Sequence, residues 1–224
     1  MLRFTPEDHK IVTLAVTQAE RSSDGEIVTV VTEKSDSYHD VGLHYAVLAM
    51  LLVPAVLGAL PQTAIDNWTA AFLGWNAEIG RGALMLVLFA MLAAAFLLVR
   101  LALAYMPLRM ALTPGSTKTR RVRRRAVELF KVGAERRTVG RTGVLLYVSL
   151  REHRAEIVAD EAIVSKVAPE LWGEAMSDLI EEVKAGRPGA GMAKAVERIG
   201  AVLTEHFPKS DDNPNELPDR LIEL

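Results

Sequence analysis

Two long apolar runs interrupt an otherwise mixed pattern of polar and apolar positions. Residues 41–60 carry no formal charge, and their length matches the roughly 20 residues that cross a bilayer core of about 30 Å. The second run covers residues 83–99 and continues beyond Arg100, whose long side chain can reach an interface. Pro54 is expected to kink the first helix, which membrane helices tolerate. The pattern therefore predicts a transmembrane hairpin within residues 41–109.

The charges around the hairpin predict its orientation. The connector, residues 61–82, carries Asp66, Glu78 and Arg81, whereas the segment after the second run is crowded with basic side chains. These are Arg109, Lys118, Arg120, Arg121, Arg123, Arg124 and Arg125. Because Lys and Arg accumulate in cytoplasmic loops, we predict that the connector lies outside and that both termini and the soluble domain are cytoplasmic. The location expected is a bacterial-type inner membrane, crossed more than once.

Aromatic residues recur at helical spacing in the connector. Trp68, Phe72 and Trp75 would share one face of a short helix. Such a face is typical of an amphipathic helix that rests on the outer interface, where aromatic side chains accumulate. A stripe that binds a partner protein is the alternative.

The rest of the chain alternates between helices and short strands. Apolar positions at helical spacing predict helices that begin at Thr5 and Thr117 and that cover Trp172–Ala185 and Ala190–Phe207. Runs of β-branched and apolar residues predict strands at Glu26–Thr32, Gly143–Leu150 and Arg154–Ala159. One strand before the hairpin cannot form a sheet by itself. We therefore predict that the first two strands pair in one mixed sheet that is covered by helices.

This pairing predicts a discontinuous soluble domain. Residues 1–40 form its first part and residues 110–208 its second part, so that residues 41–109 are an insertion. Residues 209–224, with the sequence KSDDNPNELPDRLIEL, are expected to form an acidic flexible tail.

Composition narrows the possible functions. The formal net charge is -2, so the chain lacks the overall basic field that nucleic-acid binding needs. The chain contains no cysteine, which excludes disulfides, thiol catalysis and thiolate metal sites. Any cationic site must therefore come from local clustering.

Four segments, taken in order, resemble the TPM domain family. They are the strand DGEIVTV at 24–30, the helix RAVELF at 125–130, the strand RTGVLLYV at 141–148 and the returning strand at 154–162. The resemblance implies an α/β fold in the form of an α/β/α sandwich, here interrupted by the transmembrane hairpin. It also implies assembly or repair of membrane complexes or, for some members, weak acid-phosphatase activity or divalent-cation binding. Many members have a glycine-rich turn after the returning strand, where this chain has Asp160-Glu161-Ala162.

Carboxylates gather where the predicted strands end. Glu33, Asp36 and Asp40 follow the first strand, and Asp160 and Glu161 follow the last. If these ends meet in space, their oxygens could bind Ca²⁺ or Mg²⁺, and water could then attack a metal-bound phosphate. Acids at loop ends are also commonly just solvated. No catalytic residue is assigned, because the chain has no nucleophile elbow, metal-ligating histidine pair or phosphate-binding glycine loop.

The basic segment is a second candidate site. It comprises Lys118, Arg120, Arg121, Arg123, Arg124 and Arg125. The segment follows a predicted span and lacks the interleaved aromatic residues that bind nucleic acid, so anionic lipid is the partner expected. Each basic residue near the bilayer surface would contribute about 1 kcal/mol. The same charges would also fix the topology, so they need no separate binding role.

Two functions follow from these features. The leading interpretation is a membrane-anchored, non-catalytic TPM-like module that docks onto an inner-membrane protein complex or assists its assembly or maintenance. The alternative is a divalent-metal-dependent phosphatase that uses the carboxylates at the strand ends. The partners expected are membrane lipids and another inner-membrane protein, and not nucleic acid.

Overall fold

The computed structural model describes residues 4–73, 80–133, 142–210 and 216–224. These residues divide into two compact units. The sheet unit consists of residues 1–36 and 115–224, and the hairpin unit consists of residues 37–114. Each unit is built on a different principle and is described by itself below.

Helices provide most of the regular structure. In the sheet unit they are α1 (Pro6–Glu20), α6 (Gly115–Gly133), α7 (Glu161–Val164), α8 (Pro169–Lys184) and α9 (Pro188–His206). In the hairpin unit they are α2 (His39–Ala59), α3 (Gln62–Leu73), α4 (Arg81–Ala102) and α5 (Met106–Leu112). Side-chain capping defines the start of α1. Asp8 N donates to Thr5 Oγ1 at 3.2 Å, and Thr5 N donates to Asp8 Oδ2 at 2.8 Å. This capping box fixes the first turn.

The described part of the sheet unit contains one mixed sheet. Its strands are β1 (Glu26–Thr32), β2 (Gly143–Ser149), β3 (Arg154–Ala159) and β4 (Ile222–Glu223), in the order β3-β2-β1-β4. β1 and β2 are parallel, with Glu26 opposite Gly143, and β3 runs antiparallel to β2. The predicted pairing of the first two strands in one mixed sheet is therefore confirmed.

Helices cover both faces of this sheet. Side chains alternate along a strand, so Ile27 and Val31 of β1 face α1, α8 and α9, whereas Val28 and Val30 face α6. Every residue of β1 and β2 is buried, as expected for strands enclosed on both faces. The fold is the α/β/α sandwich that was predicted.

Close packing of α1 on α9 depends on a glycine. A Cβ atom placed on Gly200 would lie 2.5 Å from the Cβ of Ala19, which is far inside van der Waals contact. The missing side chain lets the two helices approach and bury Val12, Val16 and Ile199, all 0% exposed.

The carboxyl-terminal segment corrects the prediction of a flexible acidic tail, which is wrong for residues 216–224. Ile222 pairs with Val30 as the edge strand β4, and both Leu217 and Leu221 are buried. Thr17 Oγ1 donates to Asp219 Oδ2 at 2.6 Å, which ties the segment to α1. The segment is rich in acidic residues, but Leu217 and Leu221 supply enough apolar surface for it to pack against the sheet.

The hairpin unit exposes its apolar surface. α2 and α4 are 21 and 22 residues long, with mean hydropathy 2.0 and 2.7 in their most apolar windows. By length and composition, both are capable of crossing a membrane. The predicted connector helix corresponds to α3, where Trp68 is 47% exposed, whereas Trp75 and the side chain of Phe72 lie outside the described residues.

Candidate functional site

A polar network holds the segment that leaves β1. The parallel pairing of β1 with β2 brings Ser35 to Glu152, where Ser35 N donates to Glu152 Oε1 at 2.8 Å. The other carboxylate oxygen of Glu152 accepts from Ser149 Oγ, and the hydroxyls of Ser35 and Tyr147 lie 2.9 Å apart. Glu152 is only 3% exposed. This arrangement satisfies the Ser149 hydroxyl internally and makes it a structural group and not an exposed nucleophile.

The phenol of Tyr147 remains neutral in this network. Burial raises its pKa, and the negative charge of Glu152 acts in the same direction, although the hydrogen bond from Ser35 lowers the pKa. In this network the carboxylate oxygens of Glu152 accept one hydrogen bond from a backbone amide and one from a hydroxyl.

Asp36 lies beside this network and is held by the basic helix α6. Arg121 Nη1 is 2.9 Å from Asp36 Oδ2, and the Arg121 side chain is only 17% exposed. Arg151 similarly pairs with Glu33. These ion pairs fasten the exit segment of β1 to α6 and to the turn after β2. Asp36 is thus engaged by an arginine within the protein.

The predicted carboxylate site is not assembled. Because β3 is antiparallel to β2, its last residue lies at the opposite end of the sheet from Asp36. Asp160 accepts a hydrogen bond from Gly143 N at 3.0 Å, a strand length of about 20 Å away from the exit of β1. Glu161 begins α7 beside Asp160, and Asp40 lies in the first turn of α2 in the hairpin unit.

The premise that the two strand ends meet is therefore wrong. Its physical cause is strand direction: a hairpin return carries the chain back to the end where the preceding strand began. Among the described residues, no group of three or more His, Asp or Glu side chains is placed to hold a metal ion.

The basic helix α6 has one buried face and one cationic face. Val122, Ala126 and Phe130 pack under the sheet, while the side chains of Arg123 and Arg124 are 74% and 81% exposed. Of the predicted lipid-binding residues, Arg121 is turned toward Asp36. The others that remain on the solvent side or at its margin are Lys118, Arg120, Arg123, Arg124 and Arg125.

Some of these cations are partly compensated. Arg124 Nε is 2.8 Å from Glu128 Oε1, and Arg125 Nη1 is 3.8 Å from Glu128 Oε2. Arg123 is 3.9 Å from Glu156. In high dielectric such exposed pairs are weak and exchange readily with other anions. The helix therefore presents a cationic surface in which Glu128 and Glu156 offset part of the charge.

Two buried carboxylates escaped the sequence analysis. Glu20 ends α1 at 6% exposure, and its Oε1 accepts from Ile27 N at 2.8 Å. Burial raises the pKa of Glu20 to about 8, and nearby Glu26 and Asp219 add to the increase. Burial also raises the pKa of Glu26. A sequence signal existed, because Glu20 continues the buried stripe of Val12 and Val16 at four-residue spacing.

The hairpin unit contains an apolar cavity of about 850 Å³. It lies between α2, α3 and α4, and the residues that line it include Leu52, Pro54, Ile65, Trp68, Leu88 and Met91. No charged side chain lines this cavity. Its walls suit a hydrocarbon chain or an apolar side chain and offer no group for proton transfer or metal binding.

Comparison with known proteins gives two similarities. Residues 108–202 match the model of the TPM domain. The NMR structure of the BA42 protein from the psychrophilic bacterium Bizionia argentinensis is similar to this chain, with a TM-score of 0.56 and 17% sequence identity over 99% of this chain and 95% of that one. At this identity the similarity is one of fold. No curated protein matches the chain.

Proposed function

Because the chain contains a TPM domain, we propose that it is a membrane-anchored, non-catalytic module that docks onto an inner-membrane protein complex and assists its assembly or maintenance. The apolar hairpin is the anchor, and the sheet unit is the part that works at the membrane surface. The proposal concerns a binding function because the polar groups at the exit of β1 are engaged with one another.

The observation that carries the proposal is the exposure of α4. None of its 22 residues is buried within the described structure. Its largest exposed side chains include Leu86, Phe89, Leu97 and Leu101, with exposures between 62% and 73%. At 100° per residue these four share one side of the helix. An apolar surface of this size requires lipid or another protein to cover it.

The basic face of α6 supports a cytoplasmic sheet unit. Positively charged segments next to a span remain on the cytoplasmic side. There the five outward basic residues meet an anionic leaflet, at about 1 kcal/mol for each group near the surface. Lipid is thus the proposed partner of α6, and another membrane protein is the proposed partner of α4.

Orientation is tested with reporter fusions to the full chain. Fusions at the amino terminus, after Pro61 in the connector and at the carboxyl terminus should read inside, outside and inside. A connector that reads inside would refute the two-pass topology.

The partner is tested by photocrosslinking in native membranes. A crosslinking amino acid at Phe89, and separately at Leu86 or Leu97, should give the same discrete membrane-protein adduct, because the three positions share one face. The matched control is Ala46 of α2, which is 0% exposed and should give no such adduct. Lipid adducts alone at all three positions would contradict docking through α4.

The competing metal-dependent phosphatase gives a different result. Purified full-length protein should show no phosphate-ester hydrolysis that depends on added Mg²⁺ or Ca²⁺. Turnover that requires the metal and disappears in Asp36→Ala would refute the non-catalytic proposal.

A further inference from the structure

Two guanidinium groups converge on one glycine at the start of α2. A Cβ atom on Gly42 would lie 3.3 Å from Arg100 Nη1 and 3.9 Å from Arg109 Nε. Gly42 is buried, and its missing side chain leaves the space that the two arginines enter from α4 and α5. All three residues belong to the hairpin unit.

Arg109 is a buried cation whose N–H groups donate mainly to backbone carbonyl oxygens. It is 4% exposed, and its Nε and Nη1 donate to the carbonyl oxygens of Leu103 and Ser37, each at 2.7 Å. Nη2 donates to Ala104 O at 3.4 Å, and Nη1 lies 3.3 Å from His39 Nδ1. Carbonyl dipoles satisfy the N–H groups but do not neutralise the charge. Within the described residues, no carboxylate pairs with Arg109, so a buried positive charge remains to be compensated.

Arg100 brings a second positive charge to the same place. It lies in the last turn of α4, is half-buried, and has no ion-pair partner among the described side chains. The acidic residue in the first turn of α2, Asp40, is exposed, whereas Gly42 is buried. Two cations this close repel each other, and the amino-terminal end of α2 adds a partial positive charge. The arrangement favours an anion between the arginines.

We propose that Arg100 and Arg109 bind the phosphate of a phospholipid headgroup. The inference rests on the proposed function, in which α2 and α4 span a membrane. The guanidinium of Arg100 is available as a planar fork for two phosphate oxygens, which is the geometry that arginine provides best. Arg109 has committed most of its five N–H donors, so it contributes its charge and at most one hydrogen bond.

Neighbouring residues favour a lipid over free phosphate. Leu101 follows Arg100 and is 73% exposed, and Leu43 follows Gly42 and is 46% exposed. A phosphate held by Arg100 would place its acyl chains along these apolar side chains. The ends of spanning helices are also where headgroups lie.

The site is tested by native mass spectrometry of the full chain in detergent. After delipidation, dioleoyl phosphatidylglycerol is added, and inorganic phosphate at equal concentration forms a separate arm. Wild type should retain one tightly bound lipid and should not bind phosphate comparably. Arg100→Gln should weaken this binding by at least about tenfold, and Arg100→Lys by less, because the charge remains and the fork is lost.

One variant serves as a matched control. Arg81→Gln removes the arginine at the other end of α4 and should retain the bound lipid. For Arg109→Gln, thermal melting is measured in addition to lipid binding, because loss of the hydrogen bonds from Arg109 to backbone carbonyl oxygens can unfold the hairpin unit. Equal lipid retention by wild type and Arg100→Gln would overturn the proposal, and so would equal binding of inorganic phosphate. A failure of the crosslinking test with lipid retention intact would refute docking through α4 and leave this site standing.

Discussion

The sheet unit buries most of its large apolar side chains, whereas the hairpin unit exposes many of its own. In the sheet unit Leu146 is 0% exposed between two helical layers, whereas Leu86 of α4 in the hairpin unit is 70% exposed. The first unit obtains its stability by burying its own chain, at roughly 25 cal/mol per Å² of apolar surface. The second unit leaves that surface for its surroundings. The first unit is therefore stabilised by contacts within itself, whereas the second exposes apolar surface that its own side chains do not cover.

Replacing one leucine in each unit separates the two units directly. Leu146→Ala should destabilise the sheet unit by about 2–5 kcal/mol, because it leaves a cavity in a closed core. Leu86→Ala should change the same unfolding transition by less than about 0.5 kcal/mol. Urea unfolding of the full chain in detergent, followed by near-UV circular dichroism, measures both. Equal losses of unfolding free energy in Leu146→Ala and Leu86→Ala would contradict this contrast between the units.

A second prediction tests how tightly the sheet unit is packed. Gly200→Ala places a methyl group against Ala19 and should destabilise the protein by about 1–3 kcal/mol, since the helices must separate. Gly173→Ala on α8 is the matched control, because a Cβ there meets nothing within 4 Å. The control should be neutral or stabilising by up to about 1 kcal/mol. A destabilised control, or a neutral Gly200→Ala, would contradict close packing of α1 on α9.

A third prediction concerns the buried Glu20. The folded protein holds a proton on Glu20 more tightly than the unfolded chain does, because burial raises its pKa from 4.5 to about 8. The resulting stability is complete below about pH 4.5 and is lost as the pH rises through about 8. Glu20→Gln keeps an acceptor for Ile27 N and removes this titration.

The measurement is the free energy of unfolding against pH. Between about pH 5 and pH 9, Glu20→Gln should gain on the order of 4 kcal/mol relative to wild type, at about 1.4 kcal/mol for each pH unit between the two pKa values. Glu161→Gln, at an exposed position of α7, should follow the wild-type curve. Parallel curves for wild type and Glu20→Gln would show that Glu20 is ionised in the fold.

The smallest expected effect separates two adjacent arginines of α6. Arg121→Gln breaks the pair with Asp36 and should destabilise the sheet unit by about 0.2–1 kcal/mol. Arg120→Gln removes an outward cation and should leave the same unfolding energy unchanged within error. Thermal melts at low and high salt should show a smaller difference between the two variants at high salt, since salt screens the ion pair. If Arg120→Gln were more destabilising than Arg121→Gln, the ion pair between Arg121 and Asp36 would not be the contact that stabilises the sheet unit.

Periodicity and strand composition predicted most of the sheet unit. Glu26–Thr32 is apolar on both faces and needs two covering layers, so its pairing with the strand at Gly143 followed from the pattern. The apolar runs around Leu52 and Leu86 likewise predicted long exposed helices. These features depend on the pattern of residues within short segments, which can be recognised from the sequence alone.

The failed expectations depended on arrangement in space. Asp36 and Asp160 each follow a strand, but the ends meet only if the strands run in the same direction, and β3 reverses. Leu217 and Leu221 were hidden in acidic sequence, and their burial depends on an exposed edge of β1 that no local pattern reveals. The pairing of Arg121 with Asp36 spans 85 residues and required the fold itself.

The position of β4 has a consequence for biosynthesis. β1 is synthesised before its neighbours in the sheet, which are β2, made after the hairpin unit, and β4, made from residues 222–223. The contact from Ser35 to Glu152 spans 117 residues, and that from Glu26 to Leu217 spans 191. Contacts this distant in sequence form slowly. β1 must therefore wait without these partners while the hairpin unit is synthesised, and the sheet is complete only after residues 222–223 have been made.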